Sequence, residues 1–133
     1  MATATPELPL VSEHAIEALY ATGHWLFMQR RVAQALSVFR AMVHLAPEDE
    51  RGWLAIGFCY EAQDHPSVAL NIYAAALELA QPAARCAVAQ ARILRSRGMI
   101  HEARQALAHA ARAADAAGDD ELRDLVASEW TRR

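Results

Sequence analysis

The sequence repeats itself at intervals of 34 residues, and this period limits the fold more than any other feature of the chain. Two positions of the period always hold a small residue, and a third holds a large apolar or aromatic one. The three sets are Gly23, Gly57 and Ala91; Ala35, Ala69 and Ala103; and Phe39, Tyr73 and Leu107. Each period of such a chain is one unit that cannot bury its apolar face alone, so neighbouring units must stack. The period therefore predicts a stack of three similar units.

The middle repeat indicates what the unit is. Its large, small and aromatic residues have the order and spacing of a tetratricopeptide repeat, which is a pair of antiparallel helices. These residues are Trp53, Ile56, Gly57, Tyr60, Ala69, Tyr73 and Ala76. The composition favours helix as well, since the chain has 31 alanines, 5 glycines and 5 prolines. We predict an all-α fold of three tandem tetratricopeptide repeats, with small residues where helices touch, followed by a C-terminal capping helix.

Helix start and stop signals place the repeats along the chain. Ser12 is suited to cap the first helix, Pro47 opens the second repeat, and Pro82 opens the third. After Gly118, three acidic residues precede an apolar stripe at helical spacing, which predicts a helix that covers the last repeat. Residues 1–11 are predicted to form a flexible tail. We predict a single domain over residues 12–133, with repeats over about 12–46, 47–81 and 82–117 and a capping helix over 119–131.

Composition and charge argue against several functions. The formal net charge of −3 and the isoelectric point of about 6.0 give no positive field for nucleic acid or acidic lipid. The longest uncharged apolar stretch, residues 68–77, has about half the length that a membrane span requires. The first ten residues lack the features of a secretory signal, and two cysteines are too few for a disulfide framework. We expect a cytoplasmic protein with free thiols that binds neither nucleic acid nor membrane.

Motifs that carry catalysis or bind metals do not stand out. The six histidines include no pair four residues apart, and neither cysteine has a histidine at ligand spacing. The sequence has no glycine-rich phosphate loop and no nucleophile elbow. We therefore expect no enzyme activity, no metal and no cofactor.

A groove is the candidate functional site. Stacked helix pairs curve, and the first helix of each pair lines the inner surface. The inward positions are mainly apolar in the first two repeats and mainly basic in the third, so we predict a groove that is cationic at its C-terminal end. Two alternatives stay open: the aromatic residues pack in the core, and the arginines form a solvated face. The predicted groove residues are Tyr20, His24, Phe27, Arg51, Leu54, Phe58, Glu61, Arg85, Val88, Arg92 and Arg95.

Two short stretches carry a more specific resemblance. They are Leu19-Tyr20-x-x-Gly23 with Phe27, and Gly57-x-Cys59 followed by Ala69 and Tyr73. Over about residues 15–110 the chain resembles the SycD/LcrH-type class II chaperones of type III secretion systems. The resemblance implies a chaperone whose groove holds an extended segment, of the type Pro-x-Leu-x-x-Pro, of a secreted translocator protein. It implies that Tyr20, Phe27 and Leu54 meet the apolar side chains of that segment, and it allows a homodimer.

The tail offers a related hypothesis. Its sequence Pro6-Glu7-Leu8 partly matches the segment that such chaperones hold. We hypothesise that the free chain binds its own tail or the tail of a neighbour.

A general tetratricopeptide adaptor that joins other proteins is the competing function, with a regulatory role as a further alternative. An adaptor that grips a peptide carboxylate usually places lysine and asparagine in its first repeats. This chain has no lysine, and its one asparagine, Asn71, is predicted to lie on a second helix. The sequence therefore favours the chaperone.

Overall fold

Seven α-helices make up the described part of the chain. The computed structural model describes residues 12–132, and within that range it contains no β-strand and no helix long and apolar enough to cross a membrane. The predicted all-α fold of three helical hairpins and a C-terminal helix is confirmed. The predicted tail, residues 1–11, lies outside the described residues. The helices are α1 (Glu13–Met28), α2 (Val32–Leu45), α3 (Glu50–Ala62), α4 (Pro66–Leu79), α5 (Ala84–Ser96), α6 (Ile100–Ala117) and α7 (Asp120–Thr131).

Side-chain caps begin three of these helices. The hydroxyl of Ser12 accepts a hydrogen bond from the backbone N–H of Ala15 at 3.2 Å and so caps α1. Asp49 and Asp119 cap α3 and α7 in the same way. The three hairpins and α7 lie inside the predicted segments, which we propose as the limits of the repeats and the cap: 12–46, 47–81, 82–117 and 119–131.

The turn inside each hairpin contains a left-handed residue at the same position of the period. Arg30, Asp64 and Gly98 have φ angles of 61°, 61° and 76°. In each turn the next backbone N–H donates to the carbonyl five residues earlier, at 2.8 to 2.9 Å, which closes the helix end. Glycine adopts this conformation without strain, whereas a side chain makes it costly. Only the third turn therefore has the glycine that usually marks such a turn in a sequence.

The helices of a hairpin approach closely where the sequence has small residues. A Cβ atom on Gly57 would lie 2.0 Å from Cε1 of Tyr73, and one on Gly23 would lie 2.5 Å from Cε1 of Phe39. Both rings are buried, with 0% and 2% of their surfaces exposed. The expectation that small residues mark the helix contacts is confirmed. Each ring fixes the first helix of its hairpin against the second.

The last helix, α7, continues the period of the first helices. Arg85 is followed 34 residues later by Asp119, and Val88 by Leu122. α7 packs on α5 and α6, as α3 packs on α1 and α2, and it buries Leu122 and Val126 in the core that it shares with them. It is therefore equivalent to the first helix of an incomplete fourth repeat.

Candidate functional site

Six of the predicted groove residues surround one pocket between α1 and α3. We call it the first pocket; its volume is about 190 Å³, and most of its lining is apolar or aromatic. The predicted residues in it are Tyr20, His24, Phe27, Arg51, Leu54 and Phe58, and they are joined by Met28, Phe39 and Ala55.

A second pocket of about 150 Å³ lies beside the first and extends to α7. Leu54 and Phe58 line both pockets, so these two side chains form the wall between them. Phe58 is 39% exposed and forms an edge-to-face contact with Tyr73 at 6.4 Å between ring centroids. We call the two pockets together the groove. The second pocket is lined by Leu54, Phe58, Arg85, Val88, Ala89, Arg92, Leu125 and Glu129.

The aromatic residues of the first pocket have two roles at once. The Tyr20 ring lies 6.3 Å from the ring of buried Phe39 and 6.4 Å from that of His24, measured between centroids. Tyr20 and Phe27 both pack on the core of the first two repeats, and both also line the pocket. Core packing and groove lining, which are alternatives in the sequence, are therefore combined, and the core holds the pocket wall in place.

Arg51 forms one side of the first pocket and is fixed by carboxylates. Its guanidinium lies 4.8 Å from the Tyr20 ring centroid and contacts Glu17 at 2.7 Å and Asp49 at 2.8 Å. The hydrogen bonds from Arg51 lower the pKa of Glu17 and of Asp49, so both carboxylates stay ionised at neutral pH. Arg51 thus contributes an ordered, flat and already neutralised surface rather than a free cation.

Every predicted arginine of the groove has a carboxylate partner. Arg92 pairs with Glu61 at 2.9 Å, and Arg95 with Glu129 at 3.8 Å. Arg85 contacts Asp119 at 3.3 Å and Glu50 at 3.8 Å. The prediction of a cationic C-terminal end is therefore corrected, because three arginines face four carboxylates there. The physical reason is the period: residues about 34 apart lie side by side on neighbouring first helices, so that acids from the preceding and the following repeat reach these arginines.

One of these pairs connects the groove to the core. Glu61 accepts two hydrogen bonds from Arg92, both at 2.9 Å, and a third from the hydroxyl of Tyr73 at 2.5 Å. Burial, followed by the bond to Glu61, raises the pKa of Tyr73 above its usual value, so the phenol keeps its proton and donates. The buried ring that contacts Gly57 therefore also holds the side chain that positions Arg92.

Two predicted residues lie outside both pockets, and several lining residues were not predicted. Glu61 supports Arg92 from the side, while Arg95 lines a separate pocket near the end of α7. The period signals one of the missed residues, because Glu129 follows the predicted Arg95 by 34 positions, whereas Leu125 follows Ala91, a helix-contact position. Met28 is an inward position of the first helix in the sequence, and Ala55 and Ala89 are 34 residues apart, whereas nothing in the sequence marks the core residue Phe39 as lining a pocket.

The cysteines do not take part in the groove. Cys59 and Cys86 are fully buried and unpaired, and burial raises the pKa of the Cys59 thiol to about 11 and that of Cys86 further. A protonated, inaccessible thiol is a poor nucleophile. Among residues 12–132, no three His, Cys, Asp or Glu side chains lie together as a metal site would require.

Comparison with solved structures shows which proteins share this fold. The type III secretion translocator chaperone SycD of Yersinia enterocolitica superposes with a TM-score of 0.77 at 23% identity, covering 90% of this chain and 88% of SycD. SycD in complex with a peptide of the translocator YopD gives 0.72 at 25% identity, covering 90% and 92%.

A second chaperone superposes to a similar extent. PcrH, known from Pseudomonas aeruginosa, superposes in its complex with the chaperone binding region of PopB with a TM-score of 0.72 at 25% identity, covering 92% of this chain and 97% of PcrH. No protein-family model and no curated protein sequence matches the chain. The resemblance carried by the first two repeats is confirmed in three dimensions: this chain has the fold of the class II translocator chaperones of type III secretion.

Proposed function

We propose that this chain is a cytoplasmic chaperone that binds an extended segment of a secreted translocator protein in the groove and keeps that protein competent for secretion. The observation that carries the proposal is the pair of apolar pockets divided by Leu54 and Phe58, in a fold shared with SycD and PcrH. Those two proteins have been crystallised with a YopD peptide and with the chaperone binding regions of PopB and PopD.

The form of the groove suits a short extended segment. In an extended chain, every second side chain points in the same direction. One bound segment can therefore place one apolar side chain in the first pocket and a later one in the second pocket. Each well-buried apolar side chain contributes about 1.5 to 3 kcal/mol, and ordering the flexible segment offsets part of that gain. We therefore expect two anchors to dominate a moderate affinity that allows release.

The chemistry of translocators explains why such a protein is needed. Proteins that form membrane pores carry apolar helices, which aggregate in water when they are exposed before secretion. A partner that acts by binding alone, without catalysis, would prevent this. The cargo must be held before export, so we place the protein in the cytoplasm.

An adaptor that grips a peptide carboxylate is disfavoured by the charges in the groove. Arg51, Arg85 and Arg92 all have carboxylate partners within 4 Å. A carboxylate ligand would have to displace these acids and would leave them without their partners, at a cost comparable to its own gain.

A peptide-binding measurement tests the proposal. The probe is a fluorescein-labelled peptide with the pattern Pro-x-Leu-x-x-Pro, and the readout is fluorescence anisotropy. We expect Phe58→Ala to weaken binding at least tenfold, because the wall between the two pockets is lost. Val68→Ala on α4 is the matched control, since Val68 is also 39% exposed but lies outside both pockets. Equal affinities of the two variants would contradict the proposal.

We further propose a homodimer through the exposed face of α1. Ala18, Ala21, Trp25 and Met28 lie on one side of this helix and are exposed, the two large side chains by 55% and 64%. Within the described residues, α1 packs only on α2 and α3, so no other helix covers this face, and the Arg31 guanidinium lies 6.0 Å from the Trp25 ring centroid.

The pattern on α1 is complementary to itself. In an antiparallel pair of α1 helices related by a twofold axis, Trp25 of one copy would cover Ala18 of the other, and Glu13 would lie opposite Arg30. Large side chains then meet small ones, and opposite charges meet at both ends.

Analytical ultracentrifugation tests the dimer. We expect Trp25→Glu to shift the protein to the monomer, while Leu79→Glu, at a position 57% exposed on α4, leaves the mass unchanged. A wild-type monomer at all concentrations would contradict the dimer and leave the peptide-binding proposal untouched.

A further inference from the structure

The end of the solenoid carries a separate pocket that the groove does not explain. We call it the terminal pocket; its volume is about 320 Å³, and it lies between α5, α6 and the end of α7. None of its lining residues lines the first or the second pocket. It is lined by Arg95, Ile100, Ala103, Arg104, Trp130 and Arg132.

The apolar part of this pocket is unusually accessible. Ile100 is 45% exposed and Trp130 is 44% exposed, and the adjacent Met99 is 41% exposed. They occur where α7, the half repeat, has no second helix in the described residues to pack beside it. Exposed apolar side chains that gather at one concave place are typical of a contact site rather than of ordinary surface.

The charge of the terminal pocket differs from that of the groove. Among residues 12–132, its three arginines have one nearby carboxylate, the 6% exposed Glu129, which lies 3.8 Å from Arg95 and 3.6 Å from Arg132. Arg104 makes no ion pair within residues 12–132. The pocket therefore has an excess of positive charge, although the protein as a whole has a net charge of −3.

These features specify the partner. We propose that the terminal pocket docks an acidic amphipathic segment of a second protein, with an apolar side chain against Ile100 and Trp130 and a carboxylate on Arg104. Guanidinium groups bind carboxylates through two parallel hydrogen bonds, and the exposed indole offers a large rigid apolar surface. The pocket is separate from the groove, so the chain can hold a translocator segment and this second partner at the same time.

Fluorescence anisotropy with two labelled peptides tests this inference. The acidic probe is a twelve-residue peptide that has a leucine pair flanked by glutamates, and the neutral probe has glutamines in their place. We expect the acidic probe to bind at least tenfold more tightly than the neutral one, and added salt to reduce the difference.

Variants of the full chain locate the site. Arg104→Glu is expected to weaken binding of the acidic probe at least tenfold. Arg112→Glu, which changes an exposed residue elsewhere on α6, should change that affinity less than twofold. Trp130→Ala should weaken the binding of both probes, and Leu79→Ala, at a position 57% exposed on α4, should weaken the binding of neither. Binding of the Pro-x-Leu-x-x-Pro peptide should be the same in all four variants, which separates this inference from the proposed function.

Several outcomes would overturn the inference. They are an absence of binding up to millimolar acidic probe, equal affinity of the two probes, equal effects of Arg104→Glu and Arg112→Glu, and competition by millimolar inorganic phosphate. If the Trp130→Ala variant had a lower mass in the ultracentrifuge than the wild-type protein, the pocket would instead be assigned to contact with a second copy of this chain.

Discussion

The two halves of the groove share one helical framework but differ in the balance of apolar and charged residues along it. In the first two repeats, glycine meets an aromatic ring at each hairpin, and the first pocket is mainly apolar. In the third repeat the equivalent pair is Ala91 and Leu107, and the second pocket is bordered by paired charges. The period therefore fixes where side chains lie, while the residue at each position decides whether the surface offers apolar contact or neutralised charge.

The largest expected effect comes from filling the glycine contact in the second repeat. Gly57→Ala puts a Cβ atom 2.0 Å from the fully buried ring of Tyr73, and overpacking of this kind costs about 3 kcal/mol of unfolding free energy. The matched change in the third repeat, Ala91→Gly, should cost only about 1 kcal/mol, mainly through helix propensity. Urea unfolding measures both values, and similar losses would remove the distinction between the two halves.

The next effect tests the link between core and groove. Tyr73→Phe removes the hydrogen bond to Glu61 but keeps the ring, so we expect a loss of about 1.5 kcal/mol in urea unfolding. Tyr60→Phe is the control, because the Tyr60 hydroxyl bonds to Arg40 at the surface and should contribute a few tenths of a kcal/mol. If the two variants were equally stable, Glu61 would not depend on the buried phenol.

Two adjacent acids should respond to pH with opposite signs. The pKa of Asp49 is lowered mainly by hydrogen bonds from Arg51 in the first half, so it stabilises the fold above its unfolded pKa and loses this effect as the pH falls. The pKa of Glu50, beside Arg85 and Cys86 in the second half, is raised mainly by burial, so the protonated form is favoured in the folded state. Glu50 therefore contributes to folding stability at pH values below the pKa that it has in the unfolded chain. This contribution is lost as the pH rises through the pKa that Glu50 has in the folded protein.

Matched amide variants separate the two acids. Asp49→Asn should destabilise the protein at pH 7 and much less at pH 3.5. Glu50→Gln should stabilise it at pH 7 and lose that gain at pH 3.5. Urea unfolding midpoints measured between pH 3.5 and pH 7 give the result. If the midpoints of both variants changed with pH in the same way, the two sites would not differ.

The smallest effect concerns the hairpin turns. Arg30→Gly should raise the unfolding free energy by about 0.5 to 1 kcal/mol, because glycine relieves the left-handed backbone that Gly98 already accommodates in the third repeat. Asp64→Gly should give less, since aspartate tolerates this conformation better. Thermal unfolding measures these shifts, and a loss of stability in Arg30→Gly would contradict the assignment.

Much of the fold follows from the period, since the residues that the sequence marks as small or aromatic are those that meet in the hairpins. The ion pairs do not follow from the pattern of any single helix, because they join neighbouring repeats: Glu17 and Arg51, like Arg95 and Glu129, are 34 residues apart. The Arg92–Glu61 pair is harder to predict, because it joins residues 31 apart and depends on how far the side chains reach. The terminal pocket depends on the position of α7 against α5 and α6, which helical periodicity alone does not specify.

An extended translocator segment that occupies both pockets should contact residues on both sides of the Leu54 and Phe58 wall. Methyl-labelled NMR of leucine and valine during titration with the Pro-x-Leu-x-x-Pro peptide detects these contacts. We expect Leu54 and Val88, one in the wall and one in the second pocket, to shift together, while Val68 and Leu79 on α4 do not. Shifts confined to Val68 and Leu79, or no shift at Leu54 under saturating peptide, would contradict this expectation.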